Sequence, residues 1–382
     1  MSLSGTVTIW LLWLVAAATF IWGVLSWPKA VGNGRLPSLW RTHLRRSGSQ
    51  LAVVATALLA VGGTLNAQYD WYSSWSDLGT VFGGGDSTAV SPEVVHAGSG
   101  QVAAPIRSLR EPQITGLSPD PGPDGQYATV TLAGPVSKVS SSVVVWVPQS
   151  YTRAGSSHRH YPVIEVFHGI PGGPREYSHD INLGKMVAGL AASGRIKETI
   201  LVMPDSSPHH VDTECVNGGS RGPAMEDWLT IDVPTWVRHS LRVQQDRQSW
   251  ATMGLSTGGF CSSMAAMLHP ATYGTAIELG GYLTPQFDSH YRPFAPGSTS
   301  WKRYELVKLA ATSPPPVALW LETSKTDSLS YWGNKRLIAT AAAPMTVTAD
   351  VLQDAGHRMS VWVGVMPTAL QWLGSTANGF RP

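Results

Sequence analysis

The pentapeptide Gly254–Gly258, Gly-Leu-Ser-Thr-Gly, constrains the fold of this 382-residue chain more than any other feature. The sequence predicts a short strand over Ser249–Met253 before it and a helix over Phe260–Leu268 after it. A strand that turns at once into a helix brings backbone segments into near contact, and glycine relieves the clash. The pattern is typical of a nucleophile elbow, in which the turn exposes the Ser256 hydroxyl beside the Thr257 N–H.

Residues that can complete a catalytic triad with Ser256 follow in the chain order serine, acid, histidine. The apolar run 316–321 predicts a buried strand, and the polar segment after it contains Asp327, the predicted acid. A second strand-like stretch, 345–352, precedes His357, the predicted base. In these roles His357 takes the Ser256 proton, and Asp327 holds the imidazole tautomer.

Two other carboxylates compete with Asp327 for the role of the acid. Glu322 lies nearer the end of the predicted strand, and Asp354 lies close to His357 in sequence. The sequence favours Asp327, with Glu322 as the main alternative.

A second glycine-rich loop, His168-Gly-Ile-Pro-Gly-Gly, follows the strand predicted over Tyr161–Phe167. A tetrahedral intermediate needs two preorganised donors, and the pattern predicts the backbone N–H groups of Ile170 and Thr257. The alternative is a glycine-rich surface turn. Four side chains are expected to bind substrate at the mouth of the site: His168, Arg175, Asp180 and Trp228.

Strand-like and helical segments alternate from Tyr161 onward, which predicts a doubly wound, mostly parallel sheet. We therefore expect an α/β-hydrolase fold over residues 126–376, after a Gly/Ser/Pro-rich tether over 83–125. The remaining predicted elements are an antiparallel pair at 127–133 and 137–148, strands at 200–203 and 275–279, and a helix at 230–241.

Residues 1–82 are predicted to form a membrane anchor. Two apolar runs, about 7–27 and 51–67, suit spanning helices, and several of the chain's 16 tryptophans lie along this part. By the positive-inside rule the basic loop between the runs lies in the cytoplasm, which places the rest of the chain outside the cell membrane. Its basic residues are Lys29, Arg35, Arg41, Arg45 and Arg46. The alternative is a cleavable signal peptide, whose apolar region should be shorter and its start basic.

The two cysteines, Cys215 and Cys261, fit an extracytoplasmic domain, because an oxidising compartment favours a disulfide between them. Two unpaired thiols are the alternative. The formal net charge is +2 and the basic residues are scattered, which argues against nucleic acid as a partner. Residues 207–214 contain two histidines and two carboxylates but lack a helical His-x-x-x-His spacing. We expect a polar loop there, and neither a metal ion nor a cofactor.

Several motifs between residues 127 and 375 together resemble the esterase D type of α/β-hydrolase, which includes the secreted mycolyltransferases of mycobacteria. The matching pieces are His168-Gly-Ile, His179-Asp-Ile-Asn, Val202-Met-Pro, Asp227-Trp-Leu-Thr, Val233-Pro-Thr-Trp, the elbow, Gly281-Tyr-Leu-Thr-Pro, and His357 with Trp362. The resemblance implies a serine hydrolase or acyltransferase that acts on acyl esters, with the triad and oxyanion amides named above.

The chain also departs from the mycolyltransferases. Those enzymes are soluble and carry an aspartate where His168 stands, and the segment with their catalytic glutamate has no match here. Asp327 follows the simpler esterase pattern instead. The leading hypothesis is a membrane-anchored, extracytoplasmic serine esterase for lipid or cell-envelope esters, and its close variant is an acyltransferase to a sugar or lipid hydroxyl. A non-catalytic envelope-binding protein is disfavoured because all three triad positions are filled.

Overall fold

The computed structural model describes residues 6–26, 36–69, 71–72, 78–79, 93–95, 114, 117–118, 121–288 and 291–382. The chain divides into two compact units. The first comprises Met1–Ser87 with the short segment Gln353–Arg358, and the second comprises Thr88–Leu352 with Met359–Pro382.

The first unit contains two long helices, α1 (Thr6–Ser26) and α2 (Leu36–Tyr69). Stretches of 20 and 22 residues within them are apolar and long enough to cross a membrane. The helices pack against each other through polar as well as apolar contacts. The Thr19 and Thr56 hydroxyls lie 2.8 Å apart, and the Trp13 indole N–H donates to Thr64 Oγ1 at 3.0 Å.

The second helix is longer than the sequence predicts. The apolar run 51–67 is helical as expected, but α2 begins at Leu36. Arg41, Arg45 and Arg46, which the sequence places in a loop, therefore lie on the helix. A hydrophobicity pattern detects the apolar part of such a helix and gives no signal for its charged N-terminal extension.

The second unit is built on a nine-stranded sheet with the strand order β1-β9-β8-β7-β6-β4-β5-β3-β2. The strands are β1 (Glu93–Val95), β2 (Gln126–Ala133), β3 (Ser140–Val147), β4 (Val163–Phe167), β5 (Ile200–Pro204), β6 (Trp250–Leu255), β7 (Thr275–Leu279), β8 (Ala318–Ser324) and β9 (Thr346–Leu352). Strands β4 to β9 pair in parallel, whereas β1, β2 and β3 pair antiparallel to their neighbours. The mostly parallel sheet and the antiparallel opening pair are confirmed.

Helices cover both faces of this sheet, as a doubly wound fold requires. Neighbouring residues of one strand, such as Val145 and Trp146, belong to different hydrophobic clusters. The helices are α3 (Leu183–Ala192), α4 (Met225–Asp227), α5 (Val233–Ser240), α6 (Thr257–Leu268), α7 (Thr299–Arg303), α8 (Leu306–Thr312), α9 (Tyr331–Thr340) and α10 (Met359–Thr376). Residues of α3 and α10 pack on one face, and those of α5, α6, α8 and α9 on the other.

Two segments differ from the sequence-based prediction in ways that affect the site. Most of the predicted tether 83–125 lies outside the described residues, but β1 within it pairs with β9 at the edge of the sheet. Strand β8 continues through Ser324, three residues beyond the apolar run. Glu322 therefore lies inside the sheet and is buried, and it does not belong to the loop that follows.

Candidate active site

Ser256 occupies the sharp turn between β6 and α6. Its backbone has φ 54° and ψ −123°, a region that side-chain-bearing residues avoid, and its N–H donates to Leu279 O of β7 at 2.9 Å. Strained backbone of this kind persists where the surrounding structure fixes it, which is characteristic of functional sites. The first amides of a helix also have no intrahelical acceptor, so the N–H groups at the start of α6 can face an anion.

The two glycines of the elbow permit contacts that no other residue allows. A Cβ on Gly254 lies 2.0 Å from Gly258 O, and a Cβ on Gly258 lies 2.0 Å from Phe167 O. The N-terminal turn of α6 therefore packs directly on the end of β4. The requirement for glycine at both positions, inferred from the pattern, has a clear steric cause.

The loop after β4 lies beside Ser256 because Gly169, within this loop, also has no side chain. A Cβ on Gly169 is 2.9 Å from the Leu255 side chain and 3.4 Å from Ser256 Cβ. Tyr177 fixes the start of the loop by donating its hydroxyl to Phe167 O at 2.9 Å. Ile170, the predicted oxyanion donor, is the next residue and is partly exposed.

His168 is fully buried and holds the glycine-rich loop in place through hydrogen bonds. Its Nε2 accepts the backbone N–H of Ser206 at 3.0 Å, so the proton of a neutral ring resides on Nδ1, which donates to Gly169 O at 2.9 Å. Asp205 Oδ1 lies 3.4 Å from Nε2, but the Ser206 bond makes Nε2 an acceptor and argues against a charged pair. The geometry suits a residue that positions the loop better than one that contacts substrate.

Of the other three residues expected at the mouth of the site, two are exposed and one is buried in the core. Arg175 and Asp180 are exposed, at the two ends of the helical turn 176–180 that follows the glycine-rich loop. Trp228 has no exposed surface and lies in the core beside the helices of one sheet face. Its position therefore offers no surface for a ligand. Tryptophan side chains are often buried in the core, and the sequence alone does not distinguish a core tryptophan from one that binds a ligand.

A buried polar chain that the sequence did not reveal supports the start of α6. The Tyr282 hydroxyl lies 2.5 Å from Glu214 Oε1 and 3.0 Å from Thr257 Oγ1. Burial raises the pKa of Glu214 to about 8, with the nearby Asp212 acting in the same direction. A neutral Glu214 can donate to Tyr282, which then donates its single proton to Thr257.

A disulfide ties the loop that contains Glu214 to helix α6. Cys215 and Cys261 are bonded with a Cα–Cα distance of 5.7 Å, which confirms the predicted pair. Glu214 and Cys215 both adopt positive φ, 50° and 53°, so the bond holds an unfavourable loop conformation next to the elbow.

Asp327 lies in the loop immediately after β8 and is 2% exposed. Its Oδ1 accepts the Leu329 N–H at 3.0 Å, and its Oδ2 accepts the Ser330 hydroxyl at 2.7 Å. These bonds fix the direction of the carboxylate. Strands β6 and β8 thus direct their carboxyl ends, with Ser256 and Asp327 beyond them, toward the edge of the sheet at which β9 also ends.

Glu322, the alternative acid, has a different environment. Burial raises its pKa well above the usual value, and the neighbouring Asp327, Glu278 and Asp350 act in the same direction. A raised pKa favours the neutral carboxyl group, which cannot stabilise an imidazolium by charge. This environment favours Asp327.

His357 belongs to the short segment Gln353–Arg358 that follows β9. Strand β9 itself ends beside the start of the Asp327 loop, because Lys325 N–H donates to Leu352 O at 2.9 Å. The imidazole is 6% exposed. Gly356 and Arg358, on either side of it, both contact Trp71, which lies just beyond α2.

Comparison with known proteins agrees with this architecture. The family model described as "Putative esterase" matches residues 138–369. The chain belongs to this esterase family. An uncharacterised protein of Corynebacterium glutamicum is 23% identical over 356 residues, which are 86% of this chain and 77% of that protein.

Solved structures with the same fold are also esterases and serine hydrolases. A ferulic acid esterase has a TM-score of 0.55 at 18% identity, and the match covers 65% of this chain and 97% of that one. An S-formylglutathione hydrolase from Agrobacterium tumefaciens gives 0.55 at 16%, with 67% and 97% covered. A fluorophosphonate-binding serine hydrolase of Staphylococcus aureus gives 0.52 at 16%, with 65% and 98% covered. At these identities the similarity establishes the α/β-hydrolase fold, and family membership makes this esterase a carboxylic ester hydrolase.

Proposed function

We propose that this esterase is a membrane-anchored, extracytoplasmic serine hydrolase in which Ser256, His357 and Asp327 form the triad. Ser256 attacks the ester carbonyl, His357 takes its proton and returns it to the leaving alcohol, and Asp327 orients the imidazole. The N–H groups of Ile170 and Thr257 bind the oxyanion. Water then hydrolyses the acyl-enzyme with the same base. The strained elbow at Ser256, packed against the glycine-rich loop, is the observation that carries the proposal.

The membrane part of the proposal is supported by the surface of α1 and α2. Large apolar side chains on both helices are more than half exposed, among them Trp10, Trp22, Leu51 and Leu58. Insertion into a lipid bilayer removes this apolar surface from water. The contact of Thr19 with Thr56 joins α1 to α2, which suits a retained helical pair better than a cleaved signal peptide.

The extracytoplasmic orientation is supported by the disulfide, since such bonds persist in oxidising compartments. A lipid or envelope ester as substrate follows from the anchor, which holds the site near the membrane surface. Arg175 and Asp180 are the exposed polar groups that we propose at its rim. Transfer of the acyl group to a sugar or lipid hydroxyl differs from hydrolysis only at deacylation.

A fluorophosphonate probe tests the nucleophile directly. The full-length protein in detergent should be labelled, and Ser256→Ala should not be. Ser263→Ala is the matched control, because Ser263 lies on α6 and its buried hydroxyl has no hydrogen-bond partner among the described residues. Labelling that survives Ser256→Ala, or that is lost equally in Ser263→Ala, contradicts the assignment.

Two further measurements test the remaining parts. Product analysis with a short p-nitrophenyl ester, with and without a sugar alcohol as acceptor, separates hydrolysis from transfer. Membrane-impermeant biotinylation of intact cells should modify exposed lysines of the catalytic unit, such as Lys138 and Lys185. Modification only after cell lysis contradicts the proposed orientation.

A further inference from the structure

The chain leaves α2 through a turn that one side chain holds in place. Asn66, near the end of the helix and 6% exposed, donates its Nδ2–H to Tyr72 O at 2.8 Å. Its Oδ1 accepts the Tyr72 N–H, also at 2.8 Å. Such a reciprocal pair fixes both position and direction of the backbone at residues 71 and 72.

This fixed turn contacts the segment that contains His357. Trp71 O accepts a hydrogen bond from Arg358 Nη1 at 3.0 Å. The same oxygen approaches Gly356 so closely that a Cβ there lies only 2.0 Å away. The Arg358 guanidinium also lies over the Tyr72 ring, 4.7 Å from its centroid, a favourable cation–π distance.

These contacts hold the residues on both sides of His357. Gly356 is in backbone contact with Trp71, and Arg358 makes a hydrogen bond and a cation–π contact with the same turn. Both neighbours of the imidazole therefore contact the turn beyond α2.

We propose that the turn at Trp71 and Tyr72, held by Asn66, positions His357 for catalysis. The inference rests on the proposed function, in which His357 is the base. Asn66 is a positioning residue that acts through this segment.

The test uses full-length protein in detergent micelles and a short soluble ester, so that membrane localisation does not affect the assay. Asn66→Ala removes both bonds to Tyr72 and should lower kcat about tenfold, with KM changed less than twofold, because small misplacements of a catalytic group reduce rates steeply. Arg358→Ala should have a similar effect, and Arg358→Lys, which keeps a cation and donor, should recover part of the rate. Thr64→Val is the matched control, since Thr64 lies on α2 two residues earlier and its hydroxyl bonds to Trp13 and to Ala60 O, not to the turn.

A double-mutant cycle separates positioning from general damage. In a His357→Ala background, Asn66→Ala should cause no further loss, because the group through which it acts is gone. An equal loss in Thr64→Val, a loss that persists without His357, or wild-type kcat in Asn66→Ala overturns the inference. If Ser256→Ala and His357→Ala themselves keep activity, the proposed function fails instead.

Discussion

Replacing Gly258 with alanine is the sharpest test of how the elbow is built. The new Cβ lies 2.0 Å from Phe167 O and 2.7 Å from His168 O, and both are backbone atoms that cannot rotate away. Contacts below 3.0 Å are essentially never seen, so α6 and the end of β4 must separate by about 1 Å. A displacement of that size in a catalytic group costs about 100-fold in rate.

The same substitution also strains the folded state. Overpacking of this kind typically costs about 1–3 kcal/mol of unfolding free energy. The two effects are measured separately, by kcat/KM with a p-nitrophenyl ester and by urea unfolding of the same preparation. Fluorophosphonate labelling should slow in proportion to kcat/KM, because both report the geometry of Ser256.

Gly364→Ala is the matched control for Gly258→Ala. Gly364 lies in α10, and a Cβ there meets no atom within 4 Å. Alanine in an exposed helix should stabilise the protein by about 0.5–1 kcal/mol and leave the rate unchanged. Activity of Gly258→Ala within twofold of wild type would refute the steric account of the elbow.

Three further predictions concern bonds and charges around the site. Replacing Cys215 and Cys261 with serine opens a link across 46 residues and should cost about 4 kcal/mol of unfolding free energy, measured by denaturant titration against the oxidised wild type. Burial raises the pKa of Glu165 from 4.5 to about 8, so between these pH values the folded chain binds a proton that the unfolded chain does not. The free energy of unfolding should therefore fall as pH rises from 4.5 to about 8. Glu165→Gln should flatten this pH dependence, and an unchanged pH profile contradicts the assignment. Asp327→Asn should lower kcat about 10⁴-fold, whereas Glu322→Gln should stay close to wild type, and the reverse order would make Glu322 the acid.

Sequence reasoning located the elements whose signal is local. The Gly-Leu-Ser-Thr-Gly turn and strand β7 at Thr275–Leu279 are found where the pattern predicts them. Each depends on a steric requirement or an apolar run within a few residues. The cysteine pair was also predictable, because only two cysteines are present and the predicted oxidising compartment favours their bond.

Features that depend on distant partners could not be predicted in this way. Strand β1 is three residues long and is defined by its pairing with β9 more than 200 positions later. The burial of Trp228 and the Glu214–Tyr282–Thr257 chain depend on which side of a helix or loop faces the core. The contact of Trp71 with Gly356 and Arg358 joins residues with no shared sequence pattern.

The distinction between Asp327 and Glu322 shows how burial assigns roles to chemically similar groups. Both side chains are about 2% exposed and both belong to the carboxyl end of β8 or its following loop. Glu322 is surrounded by other carboxyl groups and has its Oε2 buried without a hydrogen-bond partner among the described residues, which favours its neutral form. Asp327 accepts hydrogen bonds from Leu329 and Ser330, and such bonds stabilise a carboxylate. The neutral form of Glu322 also avoids the repulsion that it would exert on Asp327 as an anion. The hydrogen bonds to Asp327 therefore favour its carboxylate form, and the burial of Glu322 favours its neutral form.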